Sequence, residues 1–209
     1  MKKDKKNQIN YRAIALIVII VGLIVFLIIN ANKTYKDKIL SPQYIYDTST
    51  KEKVIGASDY TFVAKVNKLL RVEHLKEDSE GKLVDYTPYS VYLVTVLKNI
   101  KGTLVTDRDI EVKLLGGIHR SENYKVLVNK LKYLDKDNYY ILHPSADEEG
   151  NLIITNPDEI YPLGKEYDEK SELIKEYIKA YKNEEVPTAE YYSIPKERQY
   201  SIYDEVKKH

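Results

Sequence analysis

The sequence predicts a mainly β protein with an N-terminal transmembrane helix, a small five-stranded antiparallel barrel and one C-terminal amphipathic helix. Three observations support this fold class. An apolar run without any charge covers residues 13–29, and helical periodicity follows residue 168. Between these two segments, five strand-like stretches are separated by turn residues.

The apolar run contains only Ala, Ile, Leu, Val, Phe and one Gly. A helix over residues 11–29 would be about 28 Å long, close to the hydrocarbon thickness of a bilayer. The run is longer than the 7–15 apolar residues of a signal peptide, and its best cleavage site, Ile29-Asn30-Ala31, is poor. A lipoprotein signal needs a cysteine, and the chain has none. We therefore expect a retained anchor, with a cleaved signal as the alternative.

The flanking basic residues predict the orientation of this helix. The N-terminal side carries more of them, namely Lys2, Lys3, Lys5, Lys6 and Arg12, against Lys33, Lys36 and Lys38 on the other side. The positive-inside rule then makes residues 1–12 a cytoplasmic basic segment and places the C-terminal domain outside the cell. We expect a single-pass protein of the cell membrane.

Charge and composition limit the partners. The net charge is +1, and residues 1–12 contribute +4, so the rest of the chain carries −3. No basic stripe is present to bind a phosphate backbone, so nucleic acid is not an expected partner. The absence of cysteine excludes disulfides and zinc–thiolate sites. The 20 tyrosines against two phenylalanines suit partly wet surfaces and interfaces, although codon usage in an AT-rich genome would also explain them.

Residues 30–48 lack a clear period, and we interpret them as a juxtamembrane stalk. The barrel domain is expected over residues 49–165. It begins at Ser49-Thr50-Lys51-Glu52, which matches a capping box and predicts a short helix that ends at Gly56.

Alternating apolar residues predict the strands of the barrel. The first begins at Tyr60, and the chain returns through residues 89–97 to form a long hairpin. Three further strands are predicted over residues 110–114, 139–142 and 152–155, while residues 126–134 are ambiguous between strand and helix. These strands indicate a small closed or half-closed antiparallel barrel, OB-like in form, because closure would remove exposed strand edges. A flatter sandwich is the alternative.

The C-terminal helix is predicted over residues 166–182, with Asp168 as its cap. Its apolar residues follow helical spacing and form one face: Leu173, Ile174, Tyr177, Ile178 and Tyr181. Residues 183–209 form a polar, tyrosine-containing tail, predicted to be extended or disordered, which could lie across an apolar groove.

A resemblance to a group of bacterial proteins rests on four stretches of the chain: residues 57–66, residues 92–102, the strand ending at Gly116-Gly117, and Tyr139-Tyr140-Ile141-Leu142. Over about residues 57–160 the chain resembles exported, membrane-anchored or lipoprotein-like OB-like barrel proteins of Gram-positive bacteria, whose functions are mostly uncharacterised. The resemblance implies the barrel and its location outside the cell. It implies no catalytic residues, and this chain departs from it by lacking the lipid-bearing cysteine.

Residues that could carry chemistry are few. The four histidines have no metal-ligand spacing, the acidic clusters lie in turns beside Gly, and no nucleotide-binding motif occurs, so we expect no metal and no cofactor. Small and reactive residues gather in one place, a candidate ligand loop for an anion or a peptide carboxylate: Gly116, Gly117, His119, Arg120 and Ser121. A plain β-turn is the alternative.

These observations predict a membrane-anchored, extracytoplasmic, non-enzymatic binding or assembly module. Its expected partners are the membrane, through residues 13–29, and an envelope protein, peptide or polymer. Two alternatives remain open. One is an exported hydrolase that uses Ser121 and His119 with an acid, and the other is a sensor or transport accessory subunit.

Overall fold

The structure is a computed structural model that describes residues 11–31, 34–43, 46–74, 87–119, 124–187 and 200–205. The chain divides into two compact units, residues 1–35 and residues 36–209, and each is described by itself.

The first unit contains helix α1 (Tyr11–Ala31), which confirms that the apolar run is helical. The large apolar side chains between Ile14 and Ile28 are 47–65% exposed. The side chains described in α1 are those of residues 14–28, and among the described residues no helix has the length and hydropathy required to cross a membrane. The transmembrane assignment therefore stays a prediction.

The second unit is mainly β. Its strands and helices, in chain order, are β1 (Lys36–Leu40), α2 (Lys51–Ala57), β2 (Thr61–His74), β3 (Pro88–Lys101), β4 (Asp109–Leu115), β5 (Gly117–His119), β6 (Tyr124–Val128), β7 (Tyr139–Leu142), β8 (Ser145–Ala146), β9 (Leu152–Ile154), β10 (Ile160–Gly164) and α3 (Glu172–Lys182). A 3₁₀ turn, Pro157–Glu159, precedes β10.

Seven strands form one curled sheet, a half-barrel, in the order β10-β7-β2-β3-β4-β9-β8. Its centre is the long antiparallel β2–β3 hairpin, whose pairing register shifts at four places. Such irregularities bend a strand pair and increase its twist, so they account for the curl. The remaining strands, β1, β6 and β5, form a smaller sheet.

The prediction of a five-stranded antiparallel barrel is wrong in strand number and in pairing. The five predicted strands are present as β2, β3, β4, β7 and β9, but the described residues contain five more, each of two to five residues. Two pairs are parallel, β1 with β6 and β4 with β9. Among the five that were not predicted, β5 and β8 have only three and two residues, β1 is mostly charged, β10 contains a proline, and β6 overlaps the segment that was ambiguous between strand and helix.

The sheet is buried on its inner face and, beneath two helices, on part of its outer face. The inner face carries the larger apolar cluster, which includes Phe62, Tyr92, Val112 and Leu142. On the outer face, α2 and α3 cover a second cluster; its members are Ile55, Val63, Ile100, Ile141, Ile174, Tyr177 and Ala180. Neighbouring residues of β2 therefore pack into different clusters, Phe62 into the inner cluster and Val63 into the outer one.

Both predicted caps are displaced along the chain. The cap of α2 is Thr50, whose hydroxyl accepts from the Lys53 amide at 3.3 Å. Helix α3 begins at Glu172 and not at residue 166. Its cap is Ser171 rather than Asp168, because the Ser171 hydroxyl accepts a hydrogen bond from the Ile174 amide in the first turn. The predicted stalk over residues 30–48 contains β1, which pairs with β6 and so belongs to the folded unit.

The described end of the tail, residues 200–205, is also bonded to this unit. The Val105 amide donates to the Tyr203 carbonyl at 3.0 Å, and the Glu205 amide donates to the Thr103 carbonyl at 2.7 Å. Ser201 is buried. The segment forms a turn, in which the Asp204 amide donates to the Ser201 carbonyl at 3.1 Å, while residues 188–199 of the predicted tail lie outside the described residues.

We predict that Gly56→Ala destabilises the protein, although Gly→Ala in a helix normally gains about 1 kcal/mol. An added Cβ would lie 2.1 Å from the Glu185 carbonyl oxygen. Relieving that overlap requires the backbone at Glu185 to move. This movement would disturb the hydrogen bond that the Glu185 amide donates to the Glu52 carbonyl at 3.1 Å. We expect a loss of about 1–3 kcal/mol in the free energy of unfolding, measured by denaturant titration of the full chain. A gain in stability would contradict the packing described.

Candidate functional site

The first candidate is the predicted ligand loop. Gly116 and Gly117 are buried, with φ of +105° and +149°. The Gly116 amide donates to the Pro88 carbonyl at 2.7 Å, and the Gly116 carbonyl accepts from the Ser90 hydroxyl at 2.8 Å. A Cβ on Gly117 would lie 2.9 Å from Ser90 Oγ. The two glycines thus allow close backbone packing against β3.

The reactive members of that loop are not brought together by any described contact. His119 ends strand β5, and its side chain is outside the description. Arg120 and Ser121 lie outside the described residues. The ligand loop and the hydrolase alternative therefore stay predictions.

Another of the histidines, His143, is buried in the outer core. Its ring stacks on Tyr177 with centroids 5.4 Å apart, and its Nδ1 lies 3.0 Å from Thr61 Oγ1. Burial, and then the nearby positive charge of Lys101, lower the pKa of His143 to about 3. The ring is therefore uncharged at neutral pH. Among the described residues, no group of three or more His, Asp or Glu side chains has an arrangement that could hold a metal ion.

The second candidate is a buried carboxyl group that sequence reasoning missed. Glu159 is 4% exposed at the end of the 3₁₀ turn. Its Oε2 accepts from the amides of Thr155, at 2.8 Å, and Asn156, at 3.0 Å. Burial raises the pKa of Glu159 to about 7, although its hydrogen bonds act in the opposite direction. A signal was available, since Asn156-Pro157-Asp158-Glu159 has the spacing of a capping box.

A segment that begins in the predicted stalk, Tyr46–Ser49, lies against this carboxyl. The Tyr46 hydroxyl donates to Glu159 Oε1 at 2.8 Å, and the Thr48 hydroxyl donates to Asp158 Oδ2 at 2.5 Å. Tyr46 and Glu159 line one cavity of about 180 Å³, together with Ser145, Ala146, Asp147, Ile153 and Thr155. Residues more than 100 positions apart in the sequence therefore form a single polar contact.

The third candidate is a groove of about 850 Å³ beside the C-terminal segment. Its lining residues come from the turn before β4, from the start of β4 and from that segment: Val105, Asp107, Arg108, Asp109, Ile110, Ile202, Tyr203 and Asp204. We refer to this surface as the C-terminal groove. It is larger than the cavity of about 180 Å³ beside Glu159.

One buried tyrosine fixes the C-terminal wall of the groove. The Tyr60 hydroxyl donates to Asp204 Oδ2 at 2.5 Å and accepts from the Ser201 amide at 2.7 Å. Thr103 donates to the other carboxylate oxygen of Asp204 at 3.0 Å. In addition, the Ser201 hydroxyl donates to the Gly150 carbonyl at 3.1 Å. These bonds place Ile202 at the surface, where it is 64% exposed.

The opposite wall carries charge. Asp109 accepts from Thr95 and Asn67 at 2.7 and 2.8 Å, which fixes its carboxylate on the sheet. Asp107 adopts a left-handed conformation, with φ of 55°, in the turn before it. With Asp204, the groove has three carboxylates against the single guanidinium of Arg108. Its apolar walls and net negative charge suit a partner that presents an apolar group beside a basic one.

No protein-family model matches this chain, and no curated protein matches it. The resemblance to exported Gram-positive barrel proteins accordingly stays a prediction.

We predict that the stability of the protein falls as the pH rises through neutrality because of Glu159. Its pKa is about 7 in the folded state and 4.5 as a reference, so the folded state binds the extra proton between these values. The free energy of unfolding should fall by up to about 3 kcal/mol between pH 4.5 and pH 8. The measurement is denaturant unfolding across this pH range.

Glu159→Gln is the matched variant for this prediction. The Gln carbonyl can accept from the two backbone amides, and its NH₂ group can donate to the Tyr46 oxygen. The variant should lose the part of the pH dependence that lies between pH 4.5 and pH 8. An identical pH profile in both proteins would show that Glu159 does not cause it.

Proposed function

We propose that this chain is a membrane-anchored, extracytoplasmic binding module. Helix α1 would be the anchor, and the C-terminal groove would bind an envelope protein or peptide. The observation that carries the proposal is the exposed apolar surface of α1. Exposing an apolar surface of that size to water is unfavourable, and such surfaces mark sites of contact with a membrane or a protein.

Length and composition support the anchor. A helix of 21 residues is about 31 Å long, close to the hydrocarbon thickness of a bilayer. Each central Ile, Leu, Val or Phe favours insertion by roughly 0.3–0.6 kcal/mol. The exposed side chains lie at consecutive positions, for example Ile17, Val18, Ile19 and Ile20, so the apolar surface surrounds the helix. An amphipathic helix would have a polar face instead.

The charge distribution supports the orientation. Residues 1–12 carry a net +4, and the proposal places them in the cytoplasm. The unit over residues 36–209 is then outside the cell, where a chain without cysteine has no thiol to oxidise.

The groove supports binding as the role of the outer unit. Ile202 offers an exposed apolar side chain, and Asp107 and Asp204 offer negative charge within the same surface. Because Tyr60 and Gly150 fix the segment that carries Ile202, this wall is ordered before a partner arrives. An ordered binding surface loses less conformational entropy when it forms a complex. We infer a partner with a basic and an apolar side chain close together.

We predict that Val21→Lys combined with Ile24→Lys removes the protein from the membrane. Each lysine near the centre of the run costs about 2.5–3.5 kcal/mol of insertion free energy. The wild-type protein should stay with membranes after an alkaline carbonate wash, and its outer unit should be digested by protease added to intact cells. The lysine variant should be soluble and protected inside the cell.

Val21→Leu combined with Ile24→Leu is the control, because it changes the same positions and keeps them apolar. This control should behave as the wild type does. The anchor proposal fails if carbonate extracts the wild-type protein, or if the lysine variant remains in the membrane and accessible to protease.

We predict that a photocrosslinking amino acid at Ile202 captures the partner and that Asp107→Asn reduces the yield. Removing one exposed charge from the groove should lower the crosslinked yield about two- to fivefold in cells that express the full chain. The yield is measured as the shifted band on an immunoblot.

Asp137→Asn is a closely matched control. Asp137 also has a left-handed conformation, with φ of 63°, and both aspartates donate their amides to β2 or β3 carbonyls at 2.8 Å. Asn tolerates this conformation as Asp does, so both variants should fold. The C-terminal groove is excluded as the binding surface if the two substitutions change the yield equally, or if a crosslinker at exposed Leu69 captures the same product.

A further inference from the structure

We propose that two copies of this chain exchange their C-terminal segments, residues 200–205, so that each copy binds the segment of the other. The residues that hold the segment are Tyr60, Thr103, Val105 and Gly150, and we refer to them as the segment site. In the structure this site holds the segment of its own chain. The inference does not rest on the proposed function, because it requires neither the anchor nor a partner in the C-terminal groove.

One side of the segment site is fitted to a peptide backbone. Gly150 has φ of +81°, and an added Cβ would lie 2.9 Å from the Ile202 amide nitrogen and 3.0 Å from the Tyr200 carbonyl oxygen. The Gly150 carbonyl accepts from the Ile202 amide at 3.2 Å and from the Ser201 hydroxyl at 3.1 Å. Glycine thus allows both the left-handed conformation and the close approach of the segment. A side chain at this position would displace the segment.

The other side of the segment site pairs with the segment as a neighbouring strand does. Leu104 and Asp204 form an antiparallel bridge. On either side of this bridge, the amides of Val105 and Glu205 donate to carbonyls of the opposite stretch, at 3.0 and 2.7 Å. When an extended peptide is bound in this way, the main-chain hydrogen bonds supply affinity and the side-chain contacts supply specificity.

A buried tyrosine and a carboxylate give the segment site its specificity. The Asp204 carboxylate accepts from the Tyr60 hydroxyl at 2.5 Å and from the Thr103 hydroxyl at 3.0 Å. The Tyr60 hydroxyl also accepts from the Ser201 amide at 2.7 Å. Tyr60 is fully buried, so its hydroxyl has a fixed position, and hydrogen bonds to a charged group are stronger than neutral ones. The site therefore fits a peptide in which an acid follows a serine at the spacing found in this chain.

These contacts do not depend on which copy supplies the segment. The hydrogen bonds between segment and site join residues that are 51 to 144 positions apart. A second copy carries the identical segment and forms the same hydrogen bonds, which makes exchange a low-cost route to a dimer. The connection from Pro187 to Tyr200 spans up to about 45 Å, nearly three times the radius of gyration of about 16 Å expected for a domain of this size. This length permits the segment to cross to a neighbouring copy.

Exposed apolar side chains mark both ends of this connection. Val186 is 55% exposed just before it, and Tyr200 is 70% exposed at its end. In an exchanged pair the two connections cross between the copies, so these side chains lie where the copies meet. Covering them there removes apolar surface from water. This burial favours the exchanged pair over two separate copies.

Disulfide trapping between two co-expressed full chains tests the exchange. The chain has no cysteine, so each introduced thiol is the only one in its copy. One tagged copy carries Thr103→Cys, and a second copy with a different tag carries Glu205→Cys; both positions are exposed, and they are opposed beside the Leu104–Asp204 bridge. Opposed residues of an antiparallel pair have Cα atoms about 4.5–5.5 Å apart, within disulfide range. Oxidation of a detergent extract should give a linked pair that carries both tags on a non-reducing immunoblot.

Two controls accompany the trapping. A single chain with both substitutions should form an internal disulfide, because the structure places the segment on its own site. A second copy with its cysteine at exposed Lys68, on β2, instead of at Glu205 should give little linked product. Loss of the Thr103 hydroxyl weakens the site equally for its own segment and for that of the other copy, so it does not bias the comparison.

Tyr60→Phe has opposite effects in the two copies if the segments exchange. In the Thr103→Cys copy it removes a hydrogen bond to the incoming segment, so the linked yield should fall about two- to tenfold. In the Glu205→Cys copy it weakens the hold on that copy's own segment, so more segment is released and the linked yield should rise. Misfolding would lower the yield in both arrangements.

Four results would overturn the proposal. The first is the absence of a linked pair, and the second is an equal yield from the Lys68 control. The third is a change in the same direction when Tyr60→Phe is placed in either copy. The fourth is a doubly substituted chain that forms no internal disulfide, because the segment would then not lie on the segment site.

Discussion

The pairing of β2 with β3 is the constraint on which the second unit depends. Both strands have 14 residues, the inner cluster covers one face of the pair, and α2 and α3 cover the opposite face around Val63 and Ile100. A one-residue slip would exchange the inward and outward side chains of a whole strand. The four register shifts curl the pair without that exchange, so the sheet can partly enclose its inner core.

The sequence predicted those parts of the fold in which local pattern and final environment agree. Residues of β2, β3 and β4 alternate because one side chain faces the inner core and the next faces a different environment. Strand β1 has the sequence KDKIL, whose charges give no strand signal, and its pairing with β6 creates the strand. Parallel pairs and strands of two or three residues depend on contacts distant in sequence, which a single sequence does not display.

The candidate sites were less predictable than the fold for the same reason. The proposed ligand loop was local in sequence, and its described glycines prove to pack against β3. The C-terminal groove and the Glu159 cavity instead combine segments separated by 144 and 113 positions, as the Tyr60–Asp204 and Tyr46–Glu159 bonds show. The sequence shows only one part of each site: the capping-box spacing that ends at Glu159, and the tyrosine-rich tail around Tyr200.

These long-range bonds also give the abundance of tyrosine a structural reason. A tyrosine can bury its ring in the core and still place a hydroxyl at the surface of that core. Tyr60 does this for the C-terminal segment, and Tyr133 does it for β6, where its hydroxyl donates to the Val126 carbonyl at 2.6 Å. Tyr46 lies on the segment before α2 and attaches it by donating to Glu159. Phenylalanine would fill the same space without a hydrogen bond. Segments that lack a period of their own are thus attached to the half-barrel by tyrosine hydroxyls in addition to backbone hydrogen bonds, such as those from Val105 and Glu205.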